Sequence, residues 1–240
     1  MNRLVLMVLR NFWRAPFAYG KLCYYAKHTE DIPEEKKFHH IQYIFNKMIP
    51  AGNVDFKVYG QENIPEKSGF MIYANHQGLF DIPAVVVTCP HPMGVVYKKE
   101  LANVPFVKQI AECSFSLAMD RDSPKQSMKV INRIIEEIGK GRNYLIYPEG
   151  KRSRNGNEMQ EFHAGSFKCA VKTKCPVVPV ALIDTHRVLD EKGSKPLEAQ
   201  IHYLPAIYCD EYEGMSTKEL AELVHSRIEN KIKEVTSDRG

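Results

Sequence analysis

The chain lacks any cysteine spacing that would indicate a metal centre or a redox pair. Its 240 residues include six cysteines, and no two of them form a CxxC pair or stand beside histidines at zinc-ligand spacing. They are Cys23, Cys89, Cys113, Cys169, Cys175 and Cys209. This pattern indicates a reduced environment with buried free thiols, and we expect no bound metal.

Long apolar runs are also missing. A helix that spans a bilayer needs ~20 consecutive apolar residues, whereas the apolar run at residues 4–9 is interrupted by Arg10. The same segment lacks the small-residue cleavage site of a signal peptide. We therefore expect neither a spanning helix nor a cleaved leader.

Acidic residues are absent from residues 1–29. This segment contains five cations, whereas the whole chain has a net charge of +4, so residues 30–240 carry a net charge of −1. The main part of the chain therefore lacks the basic surface that is typical of nucleic-acid-binding proteins. We expect no nucleic acid among its partners.

The N-terminal segment has a pattern typical of helices that lie in a membrane interface. Arg3, Arg10, Arg14 and Lys21 fall on one helical face because their spacings are 7, 4 and 7 residues. Apolar and aromatic residues occupy most of the remaining surface, and Pro16 is expected to separate two helices. The cations would meet anionic headgroups while the apolar groups enter the acyl boundary. Alternatively, the apolar face packs on the protein's own core.

A further helix is predicted over residues 33–48, before turn residues at positions 50–53. Its apolar face contains Phe38, Ile41, Ile44, Phe45 and Met48. We place a boundary at the turn. Residues 1–50 then form an amphipathic helical membrane-anchoring segment, and residues 51–240 form the main domain.

From residue 54 onward, short apolar or alternating runs are followed by helical patterns. Strands are predicted at residues 54–59, 70–73, 94–97, 115–119, 144–147, 177–183 and 199–204. Helices are predicted at residues 104–112, 123–138, 166–173 and 216–235. This alternation predicts an α/β fold with a largely parallel central sheet covered by helices on both faces.

The turn after the second predicted strand carries a histidine and an aspartate. His76 and Asp81 flank this turn at the carboxyl end of a strand, where open α/β sheets place ligands. A histidine with one ring nitrogen held by a carboxylate keeps the other nitrogen free, as a general base requires. Alternatively, Asp81 caps the following helix and His76 is an ordinary turn residue.

Two further strand ends carry cations. Arg121 follows the fourth predicted strand, and the loop at residues 147–156 combines Lys151, Arg152 and Arg154 with glycines. Arginine forks match phosphate oxygens, lysine adds a point charge, and glycine lets backbone N–H groups approach an anion. Together with the histidine, these segments predict a phosphate pocket near a base. Either segment alone could instead be a solvated surface turn.

Four short motifs follow one another along the chain. They are Asn75-His76 with Asp81, Asp120-Arg121, Tyr147-Pro148-Glu149-Gly150-Lys151-Arg152-Ser153, and Val178-Pro179-Val180. Their order resembles the NHxxxxD, acidic-Arg, FPEGTRS and VPV blocks of the glycerolipid acyltransferase superfamily, in particular the 1-acylglycerol-3-phosphate acyltransferases. The chain departs from the family at Lys151, where threonine is usual, and in the second block, which lacks a preceding glycine.

The resemblance implies transfer of an acyl group from acyl-CoA or acyl-carrier protein to the sn-2 hydroxyl of a lysophospholipid, 1-acylglycerol-3-phosphate, to give phosphatidic acid. His76 would remove the hydroxyl proton, and Asp81 would orient and stabilise the charged imidazole. The implied substrate-binding residues are Asn75, Arg121, Glu149, Gly150, Lys151, Arg152 and Ser153. The reaction needs no cofactor or metal. The enzyme would lie on the cytoplasmic face of a membrane, in contact with anionic lipids.

Several alternatives stay open. Glu149 would either order the neighbouring cations or bind the glycerol hydroxyl, and a different lysolipid or glycerol would serve equally as acceptor. A hydrolase would use the same pair to activate water, although the chain has no G-x-S-x-G motif. A non-catalytic lipid-binding protein would not need both His76 and Asp81.

Overall fold

The computed structural model describes residues 2–237, which form a seven-stranded sheet with helices on both faces. The strands are β1 (Val54–Tyr59), β2 (Met71–Ala74), β3 (Met93–Lys98), β4 (Leu117–Met119), β5 (Asn143–Ile146), β6 (Val177–Ile183) and β7 (Leu197–Tyr203). Their order is β1-β7-β6-β2-β5-β3-β4. Neighbouring strands are parallel except for β6 and β7, which are antiparallel. The predicted α/β fold with a largely parallel sheet is confirmed.

The helices lie in two layers around this sheet. They are α1 (Arg3–Asn11), α2 (Ala15–Lys27), α3 (Glu34–Ala51), α4 (Asp81–Thr88), α5 (Val107–Cys113), α6 (Pro124–Gly139), α7 (Lys168–Thr173), α8 (Arg187–Asp190), α9 (Cys209–Tyr212) and α10 (Thr217–Ser237). One hydrophobic core joins β2 to α3 and α4 through residues such as Ile72, Phe38 and Val85. A second core joins the opposite face to α6 and α10, with Ile134 and Val224 among its residues.

Side-chain alternation along each strand explains how one sheet serves two cores. Successive side chains of a strand point to opposite faces. Ile72 accordingly lies in the core with α3 and α4, whereas its neighbour Tyr73 lies in the core with α6 and α10. All four residues of β2 are buried. A strand covered on both faces therefore appears in the sequence as a continuous apolar run.

Parallel pairing brings the carboxyl ends of three central strands to one edge of the sheet. Ile72 of β2 is in register with Leu145 of β5 on one side and with Val178 of β6 on the other. The loops that follow these strands therefore meet at the same edge. The predicted base, His76, lies in the loop after β2, the middle strand of the three.

Two of the predicted membrane-facing cations bind the protein instead. Arg3 is 2% exposed, and its guanidinium donates to backbone carbonyls within residues 187–195 and pairs with Glu191. Arg10 donates to the side chain of Asn53 at 2.7 Å. The expectation that Arg3 meets lipid headgroups is wrong, because the guanidinium fork is buried against carbonyls of α8 and of the segment after it.

The apolar face formed by α1, α2 and the turn between them is exposed. Its exposed residues are Leu4, Val5, Val8, Leu9, Phe12, Trp13, Phe17, Tyr19 and Tyr24. The alternative in which this face packs on the protein's own core therefore does not hold for these residues, although Met7 and Leu22 on the inner side are buried. No helix within residues 2–237 combines the length and apolar character needed to cross a bilayer.

The third helix connects the N-terminal segment to the sheet. The apolar residues predicted on its inner face are buried, except that Met48 is half-buried; they are Phe38, Ile41, Ile44 and Phe45. These four side chains belong to the same hydrophobic core as Ile72 of β2. The helix continues through Pro50 to Ala51, past the first of the predicted turn residues. The boundary between residues 50 and 51 stays a prediction.

Candidate active site

Asn75 extends the pairing of β2 with β6 beyond the end of β2. Its side-chain amide donates to the carbonyl of Leu182 at 2.9 Å, and its side-chain oxygen accepts from the N–H of Leu182 at 2.7 Å. Asn75 is buried, and its side-chain amide makes both hydrogen bonds to Leu182 as a backbone peptide group of a paired strand would. The residue thus holds the loop after β2 against β6. Its predicted contact with substrate stays a prediction.

The next residue, His76, forms a pair with Asp81. His76 Nδ1 lies 2.7 Å from Asp81 Oδ2, and Asp81 is 0% exposed whereas the histidine side chain is 13% exposed. The same oxygen accepts the backbone N–H groups of Gln77 and Gly78. Because this carboxylate oxygen acts as an acceptor, Nδ1 carries the ring proton, and the lone pair of neutral His76 lies on Nε2.

Asp81 does not cap the following helix as a side-chain acceptor. It is the first residue of α4, and Phe80 occupies the N-cap position without a side-chain bond to the helix. The carboxylate turns back to the N–H groups of the preceding turn, at Gln77 and Gly78. The capping alternative is therefore wrong, since the carboxylate binds the loop of the histidine.

The loop after β5 encloses His76 from one side. The ring of Tyr147 stacks on the imidazole with a centroid separation of 4.4 Å and an interplanar angle of 26°. Ser153 donates its backbone N–H to the carbonyl of His76 at 2.9 Å. Glu149 Oε1 accepts the backbone N–H of His76 at 2.7 Å. Both backbone groups of the histidine are thus fixed by the FPEGTRS-like segment.

The carboxylate of Glu149 makes contacts that neither of the two sequence-based alternatives predicted. The side chain is 2% exposed, and its second oxygen accepts the N–H of Gln160 at 3.1 Å. Burial, more than the nearby Asp81 charge, raises the pKa of this carboxyl to about 7, against the lowering effect of the two N–H donors. Glu149 orients the backbone of His76 and connects it to the segment around Gln160.

Arg121, which follows β4, contacts the same loop after β5. The guanidinium of Arg121 donates to the carbonyl of Gly150, so the strand ends of β4 and β5 are joined. Gly150 has a φ of +70°, and a Cβ atom there would lie 3.1 Å from His163 Cδ2. The backbone at this position therefore favours glycine.

The remaining predicted residues of this loop differ in exposure. Lys151 is exposed, whereas Arg152 and Ser153 are half-buried. The hydroxyl of Ser153 lies 3.5 Å from the carbonyl of Gly156. The structure thus brings Arg121 together with the predicted loop, and the roles of Lys151, Arg152 and Ser153 toward substrate stay predictions.

Sequence reasoning missed a polar network behind the pair. Gln77 donates to Asn157 at 2.8 Å and accepts the backbone N–H of Thr185 at 3.2 Å. Asn157 in turn donates to Asp184 at 3.0 Å. The available signal was the polar dipeptide Asp184-Thr185 directly after β6, since this strand ends at the same sheet edge.

The fold and the side chains at the carboxyl edge of the central strands define a class of protein. An α/β sheet carries a buried carboxylate that orients a half-buried imidazole, beside an arginine-bearing loop. Such a pair can remove a proton from a hydroxyl or from water. Over the range 2–237, no three His, Cys, Asp or Glu side chains lie together as metal ligands. The class is an α/β protein with a histidine–carboxylate pair at the carboxyl edge of its sheet.

Comparison with known proteins gives the family. The family model described as Acyltransferase matches residues 55–183, which is more than half of the chain. The chain belongs to the Acyltransferase family and is an enzyme that transfers acyl groups. The resemblance read from the four motifs is therefore confirmed.

Relatives support this assignment. The chain is 28% identical over 180 residues to a 1-acyl-sn-glycerol-3-phosphate acyltransferase from Borreliella burgdorferi. This alignment covers 74% of this chain and 72% of the relative. It is 29% identical over 175 residues to an Escherichia coli protein of the same name, with coverages of 72% and 71%.

A solved structure shares the fold. It is the 1-acyl-sn-glycerophosphate (LPA) acyltransferase from Thermotoga maritima, with a TM-score of 0.78 and 21% identity. The alignment covers 98% of this chain and 96% of that chain. The similarity extends over the N-terminal helices as well as the sheet.

The raised pKa of Glu149 predicts a pH-dependent loss of stability. Below the ordinary glutamate pKa of 4.5 the folded and unfolded states both hold the proton; above it the unfolded state ionises first. Stability therefore falls as pH rises from about 4.5 to about 7, by up to about 3 kcal/mol from this group. Glu149→Gln should show a smaller fall in the free energy of unfolding between about pH 5 and about pH 7.5.

Urea titrations at both pH values measure this difference. Glu158→Gln is the matched control, because Glu158 is an exposed carboxyl of the same loop and should keep the wild-type pH dependence. An unchanged pH dependence in Glu149→Gln would show that Glu149 is ionised in the folded protein at acidic pH.

Proposed function

We propose that the chain is a 1-acylglycerol-3-phosphate O-acyltransferase. It moves a fatty acyl group from a thioester to the sn-2 hydroxyl of lysophosphatidic acid, and the product is phosphatidic acid. The observation that carries this proposal is the His76–Asp81 pair, bonded through its backbone to the cation-bearing loop of residues 149–153. The names of the Borreliella burgdorferi and Escherichia coli relatives support the same acceptor.

The His76–Asp81 bond favours one ring nitrogen for the proton transfer. Nδ1 of His76 is held by Asp81 at 2.7 Å, so Nε2 accepts the proton of the acceptor hydroxyl. The hydroxyl oxygen forms a bond to the thioester carbonyl carbon, and the carbon–sulfur bond then breaks. The imidazolium passes its proton to the leaving thiolate, and the buried Asp81 carboxylate stabilises the charged ring in between.

The acceptor phosphate binds at the joined ends of β4 and β5. Arg121 reaches the carbonyl of Gly150, which brings its charge to the loop that carries Lys151, Arg152 and Ser153. Guanidinium and ammonium groups can bind a phosphate in this loop while its backbone holds the base. The phosphate would thereby fix the distance from the reacting hydroxyl to His76. Asn75 and Glu149 support the base from behind.

The acyl donor is acyl-CoA or acyl-carrier protein, and no cofactor is required. The thioester is already activated, so a general base and an oriented acceptor supply what the transfer needs. The N–H groups of the turn after Asn75 and of Gly150 are candidates for binding the developing oxyanion.

The exposed apolar face of α1 and α2 binds a membrane surface. Phe12, Trp13 and Phe17 are 67%, 55% and 82% exposed, and aromatic groups of this kind favour the interface. Lys21 is exposed beside them and would meet anionic headgroups. The protein is then monotopic or peripheral. Its six free thiols favour the cytoplasmic face.

Replacing the proposed base should remove activity without unfolding the protein. His76→Ala should lower the rate of phosphatidic acid formation ~10²- to 10⁴-fold, because no other group would take the hydroxyl proton. The measurement is mass-resolved product formation from lysophosphatidic acid, supplied with acyl-CoA and, separately, with acyl-carrier protein.

His39→Ala is the control for this loss, since His39 is an exposed histidine of α3 and should leave the rate unchanged. Near-wild-type activity of His76→Ala would exclude the general-base role. Absence of phosphatidic acid in the wild type, with either donor, would exclude the proposed acceptor.

Removing one cation from the loop should weaken acceptor binding selectively. Arg152→Ala should raise the KM for lysophosphatidic acid about 10-fold or more, because a charge-assisted hydrogen bond to phosphate is lost. The KM for the thioester should change by less than about twofold. Initial-rate kinetics with each substrate varied in turn measure both values.

Lys129→Ala serves as the control, because Lys129 is an exposed cation on α6. Equal increases in the two KM values would mean that Arg152 does not bind the acceptor phosphate.

A charge placed in the exposed apolar face should release the protein from vesicles. Phe17→Glu should lower the apparent affinity for anionic vesicles about tenfold or more, because an aromatic ring leaves the interface and an acid replaces it. Sedimentation with vesicles measures the bound fraction. Met128→Glu, at a 41% exposed position of α6, should bind like the wild type; equal binding by Phe17→Glu would exclude this face as the membrane contact.

A further inference from the structure

The carboxylate of Asp81 is completely buried, so each of its oxygens needs a donor. Oδ2 accepts from His76 Nδ1 and from the backbone N–H groups of Gln77 and Gly78. Oδ1 lies 2.6 Å from the hydroxyl oxygen of Thr185. In the part of the chain that the structure describes, this hydroxyl is the donor that satisfies Oδ1.

The hydroxyl proton of Thr185 has two acceptors within reach. Thr185 Oγ1 lies 3.0 Å from Gln77 Oε1 and 2.6 Å from Asp81 Oδ1. Gln77 Oε1 already accepts the backbone N–H of Thr185, while Gln77 Nε2 donates to Asn157. The carboxylate is both the closer and the more strongly accepting partner. The proton therefore points to Asp81.

Thr185 is held in this position by the sheet edge. It lies two residues beyond β6 and is 0% exposed. Asn157 accepts the backbone N–H of Asp184, and Gln77 accepts that of Thr185. The segment after β6 is thus fixed against the loop after β2 by backbone bonds that do not depend on the hydroxyl.

We propose that Thr185 is a positioning residue that acts on His76 through Asp81. Imidazole, carboxylate and hydroxyl then form a chain of three groups contributed by the loop after β2, by α4 and by the segment after β6. The proposal rests on the proposed acyl transfer for its kinetic consequence. The arrangement of the three groups itself is independent of which substrate is acylated.

The hydroxyl has two effects on the pair. It prevents rotation of the carboxylate about the Cβ–Cγ bond, which keeps Oδ2 at hydrogen-bond distance from Nδ1. It also compensates part of the negative charge of Asp81. Without the hydroxyl, the carboxylate is free to rotate away from Nδ1 and no longer holds the imidazole in one orientation.

Changing Thr185 removes none of the other titratable groups of this region. They are Asp81 on α4, Tyr147 and Glu149 on the loop after β5, and Asp184 and His186 on the segment after β6. A change in the Nδ1–H signal of His76 therefore reports the loss of the hydroxyl.

The test compares variants of the full chain with and without a hydroxyl at this position. Thr185→Val keeps the shape and removes the hydroxyl, and should lower kcat about tenfold or more with both KM values within about twofold. Thr185→Ser should restore kcat to within about twofold of the wild type. Thr88→Val is the matched control, because Thr88 is a buried threonine of α4 that bonds to Ala84 and Tyr203.

A second measurement does not require activity. The Nδ1–H proton of His76 is observed by NMR in histidine-labelled protein, with His76→Ala identifying its signal. Thr185→Val should move this signal upfield, because Oδ2 is no longer held at hydrogen-bond distance from Nδ1, and Thr185→Ser should leave it unchanged. If the wild type forms no phosphatidic acid, the proposed function fails, whereas this signal still decides the role of Thr185.

Several results would overturn the proposal. One is a folded Thr185→Val protein with wild-type kcat and an unshifted Nδ1–H signal. Another is failure of Thr185→Ser to restore the rate, and a third is an equal loss in Thr88→Val. If circular dichroism shows that Thr185→Val does not fold, Thr185→Ala replaces it in the same comparison with Thr185→Ser.

Discussion

The burial of the Asp81 carboxylate is the constraint on which the candidate site depends. A carboxylate removed from water costs several kcal/mol unless donors replace the solvent. Here the donors come from the imidazole of His76, two backbone N–H groups of the turn, and the hydroxyl of Thr185. These groups belong to segments that follow two different strands. The need to satisfy one buried ion thus fixes the loop after β2 against the segment after β6.

The loop after β5 joins this arrangement from the other side. Glu149 and Ser153 bind the backbone N–H and carbonyl of His76, and Arg121 binds the carbonyl of Gly150. In the proposed function, the loop that would bind phosphate therefore also holds the base. A substrate bound at the cations would be positioned relative to Nε2 by a few residues of backbone, which favours a defined distance for proton transfer.

The N-terminal helices show that a helical face predicted from the sequence can contact either a membrane or the protein itself. Arg3 and Arg10 both lie on α1, whereas Arg14 lies in the break before α2, and Pro16 lies in the first turn of α2. Periodicity does not tell which partner covers that face. Arg3 turns inward because the carbonyls of Arg187, Glu191 and Lys195 accept its guanidinium N–H groups, and the apolar side is left exposed.

The sequence by itself determined the seven strands, the parallel character of the sheet, and the pairing of His76 with Asp81, because alternation, turn residues and a spacing of five residues are local properties. The tertiary structure alone decided that β7 runs antiparallel beside β6, that Glu149 binds the backbone of His76, and that Thr185 completes the shell of Asp81. These last contacts join residues 73 and 104 positions apart. Such distant partners meet only when the strand order places their loops at one sheet edge, and no local pattern encodes that order.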